Sequence, residues 1–406
     1  MKRILLLMSD TGGGHRAAAE AIRDAMQAKY GDEVSIEMID VFKGYSPFPF
    51  KYMPEFYPWF INHGKMSWGV GYKWSNTRRR AKVISRGMYV SMERNLRQMF
   101  REHPADVVVS VHSILTVPSM QALLRSDERP PFIVVVTDLV STHMFWYDKT
   151  ADLTLVPTQP AFERGLEAGL RPDQMRVTGL PVHPHFAERL TDKASARAAL
   201  GWDPNLPAVL IVGGGDGMGP LLKTAKAINK RRLPIQLAII AGRNKQLKQQ
   251  CDEMTWNQPT RAYGFVTDMP KFMAASDVLV TKAGPATISE ACLAGLPMIL
   301  YDAIPGQETG NVQYVVNNNA GVFAPSPREV ADALAQWVSG GTKRLQRLSE
   351  NASGLARANA VWEIADEIWR VAQSGPVPTG RRSPWDELKY RSLKIKTIRE
   401  LRELAR

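Results

Sequence analysis

The chain is poor in cysteine, has no long apolar run, and in one stretch is nearly without acid. Cys251 and Cys292 are the only two cysteines among 406 residues. That is too few for a disulfide framework or a Cys-rich zinc site, so a reducing compartment, the cytoplasm, is expected. Only five apolar residues, Ile4 to Met8, follow Met1-Lys2-Arg3. A signal peptide needs an apolar stretch of about 7–15 residues, so this segment reads as a first strand. No run approaches the ~20 apolar residues that span a bilayer, which excludes a transmembrane helix but not a position on the membrane surface. No GK[ST] follows a glycine loop, which excludes a standard P-loop. An RNA-binding consensus and zinc-finger spacing are also missing, so no nucleic-acid partner is expected.

The formal net charge of +12 is concentrated in two stretches. Residues 41–92 hold nine Lys or Arg against the single acid Glu55, and residues 374–406 hold nine against four acids. The basicity therefore belongs to two surfaces and implies a polyanionic partner. Residues 42–74 also carry twelve of the 34 aromatics, with Pro47, Pro49, Pro54 and Pro58 among them. Four prolines forbid a regular helix at 47–58. Aromatics among lysines and arginines suit a lipid interface, so Trp59, Trp68, Arg78, Arg79, Arg80 and Lys82 are assigned to an anionic phospholipid surface. In the tail, Ile395, Ile398, Leu401 and Leu404 recur every third residue, as in an amphipathic surface helix.

Short apolar runs alternate with helical patterns in two sets, the mark of an α/β protein with two parallel, Rossmann-like sheets. Strands are expected at 3–8, 34–39, 106–111, 132–136 and 153–156, then at 208–212, 236–240, 261–263, 278–280 and 298–300. The domains read as residues 1–180, a linker at 181–206, a second domain at 207–373, and a basic tail at 374–406. Each set opens with a strand that runs into glycines and then a helix. Gly12-Gly13-Gly14 forms the first such loop, and Gly213-Gly214-Gly215-Asp216-Gly217-Met218-Gly219 the second. Backbone without side chains can bring amides and a helix N-terminus against an anion there. Gly12, Gly14 and Ala17 fit G-x-G-x-x-A with Asp40 ending the next strand, so a dinucleotide fold competes. The second loop breaks that pattern. Two such loops point to one ligand in an interdomain cleft, the GT-B architecture.

The segments 8–16, Val136-Thr137-Asp138-Leu139, 213–219, Gly242-Arg243-Asn244-Lys245, 281–290 and 305–312 resemble the monogalactosyldiacylglycerol synthase family, in order over roughly residues 1 to 370. The resemblance implies inverting transfer of galactose from UDP-galactose to the free sn-3 hydroxyl of diacylglycerol, by a peripheral enzyme on the cytoplasmic side of a membrane. It implies a donor site in which the backbone near Phe265 and Val266 holds uracil and Glu290 holds the ribose hydroxyls. Gln307, Glu308 and Asn311 would hold the hexose, and Gly284, Pro285 and Thr287 belong to the same donor motif. No Asp-x-Asp occurs, so no metal cofactor is expected. The leaving charge would then fall to Gly214, Gly215, Gly217, Met218 and Gly219, with Arg243.

His15 begins the helix after the first glycine loop and is the candidate general base, with Asp10 as its orienter and Asp138 as an alternative base or orienter. Gly12, Gly13, Gly14 and His112 are placed on the acceptor side. Plant-like members carry Cys-His-Pro where this chain has Ser141-Thr142-His143-Met144. Since galactose and glucose differ at one hydroxyl, a UDP-glucose donor stands as an alternative. A cytosolic UDP-sugar 2-epimerase and a non-catalytic binder of nucleic acid or anionic membrane are the competing functions.

Overall fold

The computed structural model describes residues 1–11, 13–56, 64–217, 219–379 and 403. The chain divides into two compact units, one of residues 1–183, 305–307 and 359–406, the other of residues 184–304 and 308–358.

In unit 1 the strands are β1 (Lys2–Met8), β2 (Val34–Asp40), β3 (Val107–Ser110), β4 (Phe132–Val135), β5 (Leu153–Val156) and β6 (Met175–Val177). They form one parallel sheet in the order β2-β1-β3-β4-β5-β6. Side chains alternate across a strand, so β1 sends Leu5 and Leu7 into one core and Ile4, Leu6 and Met8 into another. Both faces are covered, which is why the strand is continuously apolar. The helices that matter for the site are α1 (Gly14–Tyr30), α2 (Lys65–Ser75), α3 (Arg78–Glu102), α4 (Ser113–Leu123) and α5 (Gln159–Ala168).

Unit 2 repeats the plan with β7 (Ala208–Val212), β8 (Gln236–Ile240), β9 (Thr260–Tyr263), β10 (Val278–Lys282), β11 (Met298–Asp302) and β12 (Gly321–Phe323). Their order is β9-β8-β7-β10-β11-β12, again all parallel. Its helices include α6 (Leu221–Lys230), α7 (Pro285–Leu293) and α8 (Thr309–Asn317). In each sheet the strand order reverses beside the first strand, between β1 and β3 and between β7 and β10. Open sheets bind ligands outside the carboxyl ends of strands at such a reversal.

The last long helix among the described residues, α9 (Ala360–Ala372), lies in unit 1, although the sequence reading kept 207–373 together. Its stripe of Val361, Ile364, Ala365, Ile368 and Val371 is buried with Ile22, Ala25 and Val109. Tyr30 stacks on Trp369 at 4.6 Å and donates to Asp366 at 2.6 Å. Residues 193–200, read as part of a linker, form a helix of unit 2. The expected tail helix lies outside the described residues, apart from Glu403.

Candidate active site

At the carboxyl end of β1 the chain turns through Gly13, whose φ of 76° is left-handed, and enters α1 at Gly14. His15 is thereby carried to the reversal between β1 and β3. Its Nδ1 lies 2.9 Å from the Val111 carbonyl and 3.0 Å from Thr137 Oγ1. A carbonyl only accepts, so Nδ1 carries the hydrogen and Nε2 keeps its lone pair. Loss of hydration draws the His15 pKa down to about 4, against the opposing pull of the Val111 carbonyl. The imidazole is therefore neutral at pH 7.

His112 follows β3, and its ring centroid lies 4.2 Å from that of His15. Its Nε2 is 2.8 Å from Thr11 Oγ1, while the buried Nδ1 has no partner among the described residues. Burial, and then the neighbouring His15, hold the His112 pKa well below its ordinary value. Asp138, after β4, accepts a hydrogen bond from Trp146 Nε1 at 2.7 Å. The Trp146 ring stands 6.1 Å from His15, and Gln307 Nε2 lies 3.5 Å from Asp138 Oδ1.

Asp10 does not orient His15. Arg16 grips it with two nitrogens and Lys43 reaches it at 2.9 Å. The Arg16 bond, helped by Lys43, holds the Asp10 carboxyl down at about 2. The orienting groups are Val111 and Thr137, which sequence reasoning left out. Thr137 stands in the quoted Val-Thr-Asp-Leu segment, but a carbonyl after another strand leaves no mark in sequence.

In unit 2, Gly214, Gly217 and Gly219 all have positive φ, and the Gly217 amide donates to the Gly214 carbonyl at 3.1 Å. A Cβ on Gly217 would stand 2.0 Å from the Ala241 carbonyl oxygen, and one on Gly242 would stand 2.3 Å from that of Gly215. The two loops are thus interlocked backbone to backbone, a packing only glycine permits. Arg243 closes the group: its amide donates to Gly215 O at 2.9 Å and its Nη1 to Asp216 at 3.1 Å. Its guanidinium lies 4.6 Å from the exposed Phe265 ring, a cation–π contact that leaves an edge of Phe265 and the adjacent Val266 backbone beside the loop. Met218 and, in unit 1, Gly12 lie outside the described residues.

After β10, Gly284 precedes α7, whose first turn contains Pro285 and Thr287 and leaves backbone amides without helical partners. Glu290, further along α7, has no side-chain hydrogen bond among the described residues, and burial pushes its pKa up to about 7. Glu308 is buried, accepting from the Ile304 amide at 2.8 Å and facing Lys282 Nζ at 3.6 Å. Asn311 donates to Ala283 O at 3.0 Å, and its Oδ1 is buried without a partner among the described residues. Lys282 is the cation that sequence reasoning missed here, although it stands in the quoted 281–290 segment.

The aromatic and basic stretch forms part of unit 1. Trp59 lies outside the described residues, and Trp68 is half-buried. The outward stripe of α2 is instead Met66, Val70 and Trp74, 76%, 68% and 39% exposed, with Phe48 and Phe56 also exposed. Positions i, i+4 and i+8 share a helix face, which the sequence reading overlooked in favour of tryptophan. Arg78, Arg79 and Lys82 are exposed, whereas Arg80 folds over Trp74 at 5.0 Å. Among the described residues no helix is long and apolar enough to cross a membrane, and no group of three or more His, Cys, Asp or Glu is placed to hold a metal ion.

Comparison with known proteins bears on both units. The monogalactosyldiacylglycerol (MGDG) synthase family matches residues 15–182, and the glycosyltransferase family 28 C-terminal domain matches residues 208–368. The chain is 40% identical over 387 residues to a probable monogalactosyldiacylglycerol synthase 2, chloroplastic, of Oryza sativa subsp. japonica, covering 92% of this chain and 81% of that protein. It is 40% identical over 385 residues to monogalactosyldiacylglycerol synthase 3, chloroplastic, of Arabidopsis thaliana, covering 92% and 82%. Among solved structures, MurG of Acinetobacter baumannii superposes with a TM-score of 0.63 at 13% identity, over 91% of this chain and all of that one. The calicheamicin glycosyltransferase CalG4 gives 0.58 at 12%, over 92% and 98%. A UDP-GlcNAc 2-epimerase of Neisseria meningitidis gives 0.59 at 12%, over 91% and all of that chain, so likeness at this level speaks for the GT-B fold alone. The two family matches, with relatives aligned over nearly the whole chain, settle the assignment: this chain belongs to the monogalactosyldiacylglycerol synthase family of glycosyltransferases.

Proposed function

We propose that the protein transfers galactose from UDP-galactose to the sn-3 hydroxyl of 1,2-diacylglycerol, with inversion, at a membrane surface. The observation that carries the reading is the His15 imidazole. It is neutral, its Nδ1 is fixed by Val111 and Thr137, and its Nε2 is left with a lone pair. The acceptor oxygen attacks the anomeric carbon from the face opposite UDP, the bond from that carbon to the diphosphate oxygen breaks, and the hydroxyl proton passes to Nε2. A depressed pKa makes His15 a weak base. Proton transfer is therefore late, when the attacking oxygen is already acidified by bonding to the sugar. The diphosphate charge is met by amides of the 214–219 loop and by Arg243, a preorganised anion site that uses no metal. The partnerless Glu290 carboxyl suits two ribose hydroxyls, and Glu308, Lys282 and Asn311 supply a hydrogen-bonding wall for the hexose.

The membrane part of the reading rests on the Met66, Val70 and Trp74 stripe beside Lys65, Lys73 and Arg78. Apolar side chains would enter the headgroup region and cations would meet anionic lipid. The test is to incubate the protein with diacylglycerol in anionic vesicles and either UDP-galactose or UDP-glucose, with EDTA present. A galactolipid with a β linkage is expected. An α linkage overturns the inverting mechanism, a glucolipid overturns the donor, and activity that requires magnesium overturns the metal-free site.

A further inference from the structure

Two glycines stand in α2, and only one of them has space around it. A Cβ added to the exposed Gly71 would meet nothing within 4 Å, whereas one on the buried Gly69 would stand 2.7 Å from the Cβ of Pro305 and 3.3 Å from its carbonyl oxygen. The contact is reciprocal. Gly306, with a left-handed φ of 83°, brings its own backbone against Tyr72, where a Cβ would stand 2.9 Å from the ring. Gly69 and Tyr72, at i and i+3, share a buried face of α2, distinct from the exposed stripe of Met66, Val70 and Trp74. Glycine weakens a helix interior, so Gly69 marks a place where two backbones must come close.

Tyr72 also holds a second segment. Its hydroxyl donates to the Ser141 carbonyl at 2.5 Å, and its ring meets that of His143 edge-on at 4.7 Å. Ser75 Oγ lies 3.1 Å from His143 Nε2, and Asn76 Oδ1 accepts from the Met144 amide at 2.9 Å. The end of α2 is thus tied to residues 141–144, just beyond Asp138, and its middle to residues 305–306, just before Gln307. Asp138 and Gln307 are the side chains that meet at 3.5 Å, while Trp146 holds the other carboxyl oxygen. All of these residues belong to unit 1.

We infer that Gly69 and Tyr72 are positioning residues for the hexose end of the donor site. The helix that carries them pins residues 305–306 on one side and residues 141–144 on the other, and so sets the Gln307 amide against Asp138. The Asp138 oxygen accepts, so the NH2 end of the amide faces it and the orientation of the amide is fixed. A side chain preset in this way gives up little rotamer freedom when a sugar arrives. The inference rests on the reading of Gln307 as a contact to the hexose of a UDP-sugar. Residues 214–219, which meet the diphosphate in that reading, lie in unit 2, so UDP alone should not sense a change in α2.

The test is calorimetry on the full chain with UDP and with UDP-galactose. Gly69→Val should weaken UDP-galactose about tenfold and leave UDP unchanged, since a displaced hydrogen bond costs about that factor. Gly71→Val, in open space, should alter neither affinity. Tyr72→Phe keeps the ring on Gly306 but loses the bond to Ser141, and should weaken UDP-galactose about threefold. In a Gln307→Ala background, where no amide is left to position, Gly69→Val and Tyr72→Phe should add nothing further. Unchanged UDP affinity reports that each variant is folded, and if Gly69→Val does not fold, the milder Tyr72→Phe carries the test. Equal weakening of UDP and UDP-galactose, or losses that add to that of Gln307→Ala, would overturn the positioning role. Galactolipid synthesis by the wild type is measured in parallel. If it fails while the selective loss of UDP-galactose persists, the functional reading fails and the positioning stands. If galactolipid forms and the variants bind UDP-galactose as the wild type does, the positioning fails and the functional reading stands.

Discussion

Each unit passes from its first strand to its first long helix through glycine, and the two turns use that residue for different ends. Beside β1, a Cβ on Gly13 or Gly14 would meet nothing within 4 Å. Glycine there keeps space clear next to His15. Beside β7, a Cβ on Gly217 or Gly242 would fall 2.0 or 2.3 Å from a carbonyl oxygen of the opposing loop. Glycine there welds two loops into one rigid surface. The first turn leaves room for chemistry, whereas the second fixes amides in place, as an anion site demands.

Gly217→Ala should therefore have the largest effect. A left-handed φ costs a β-carbon about 1–2 kcal/mol, and the overlap with Ala241 forces the loops apart. UDP binding by calorimetry should be lost and the unfolding temperature should fall by roughly 5 °C or more. Full UDP affinity in this variant would break the contrast. Next, His15→Ala should lower turnover at least ~100-fold with a smaller change in donor KM, because positioned proton transfer contributes about 10²–10⁴. Near-normal turnover in the folded variant would remove His15 as base.

Burial also shifts one ionisable group in each unit in opposite directions, His15 downward and Glu290 on α7 upward. The folded His15 pKa is drawn below the ordinary value of 6.5, to about 4, so between those values the unfolded chain binds more protons. Stability falls as the pH drops through that window, and it should fall less in His15→Asn. Glu290 is raised from 4.5 to about 7, so its contribution is present below pH 4.5 and is lost as the pH rises through 7. Ribose hydroxyls favour the ionised carboxylate, so UDP binding near pH 7 should release protons, read as a buffer-dependent calorimetric enthalpy. Glu290→Gln should abolish that release and weaken UDP about tenfold. An unchanged enthalpy pattern would take Glu290 away from the ribose. The smallest effect is expected from Gly14→Ala, which gains helix propensity and meets open space, with a stability change within about 1 kcal/mol. A loss as large as that of Gly217→Ala would erase the distinction between the turns.

Both sheets and the reversal points were legible because apolar runs and glycine turns are local signals. The edge strands β6 and β12 were not, since three residues hold no period, and β12 begins with Gly321. The α2 helix was hidden by Gly69 and Gly71 and by the prolines before it. The 214–219 loop was read from its glycines after an apolar strand, whereas Glu290 was nominated only through motif resemblance. The partners of His15 come from strands about a hundred residues away in sequence. Spacing had favoured the nearby Asp10, which two cations claim. Which cations face solvent is also set by three-dimensional neighbours, so composition located the basic stretch without showing that Arg80 folds over Trp74.

The return of α9 to unit 1 bears on how the protein is made. Unit 2 lies in one stretch of chain apart from residues 305–307, but the apolar surface of α1 that Val361, Ile364 and Ile368 cover waits until residue 372 has left the ribosome. At about 5–20 residues per second, nearly two hundred residues of synthesis separate the end of the first sheet from its cover, an interval on the order of ten seconds or more. The half of the molecule translated first is thus the last to be finished, and during that interval its bare α1 face is a natural client surface for chaperones.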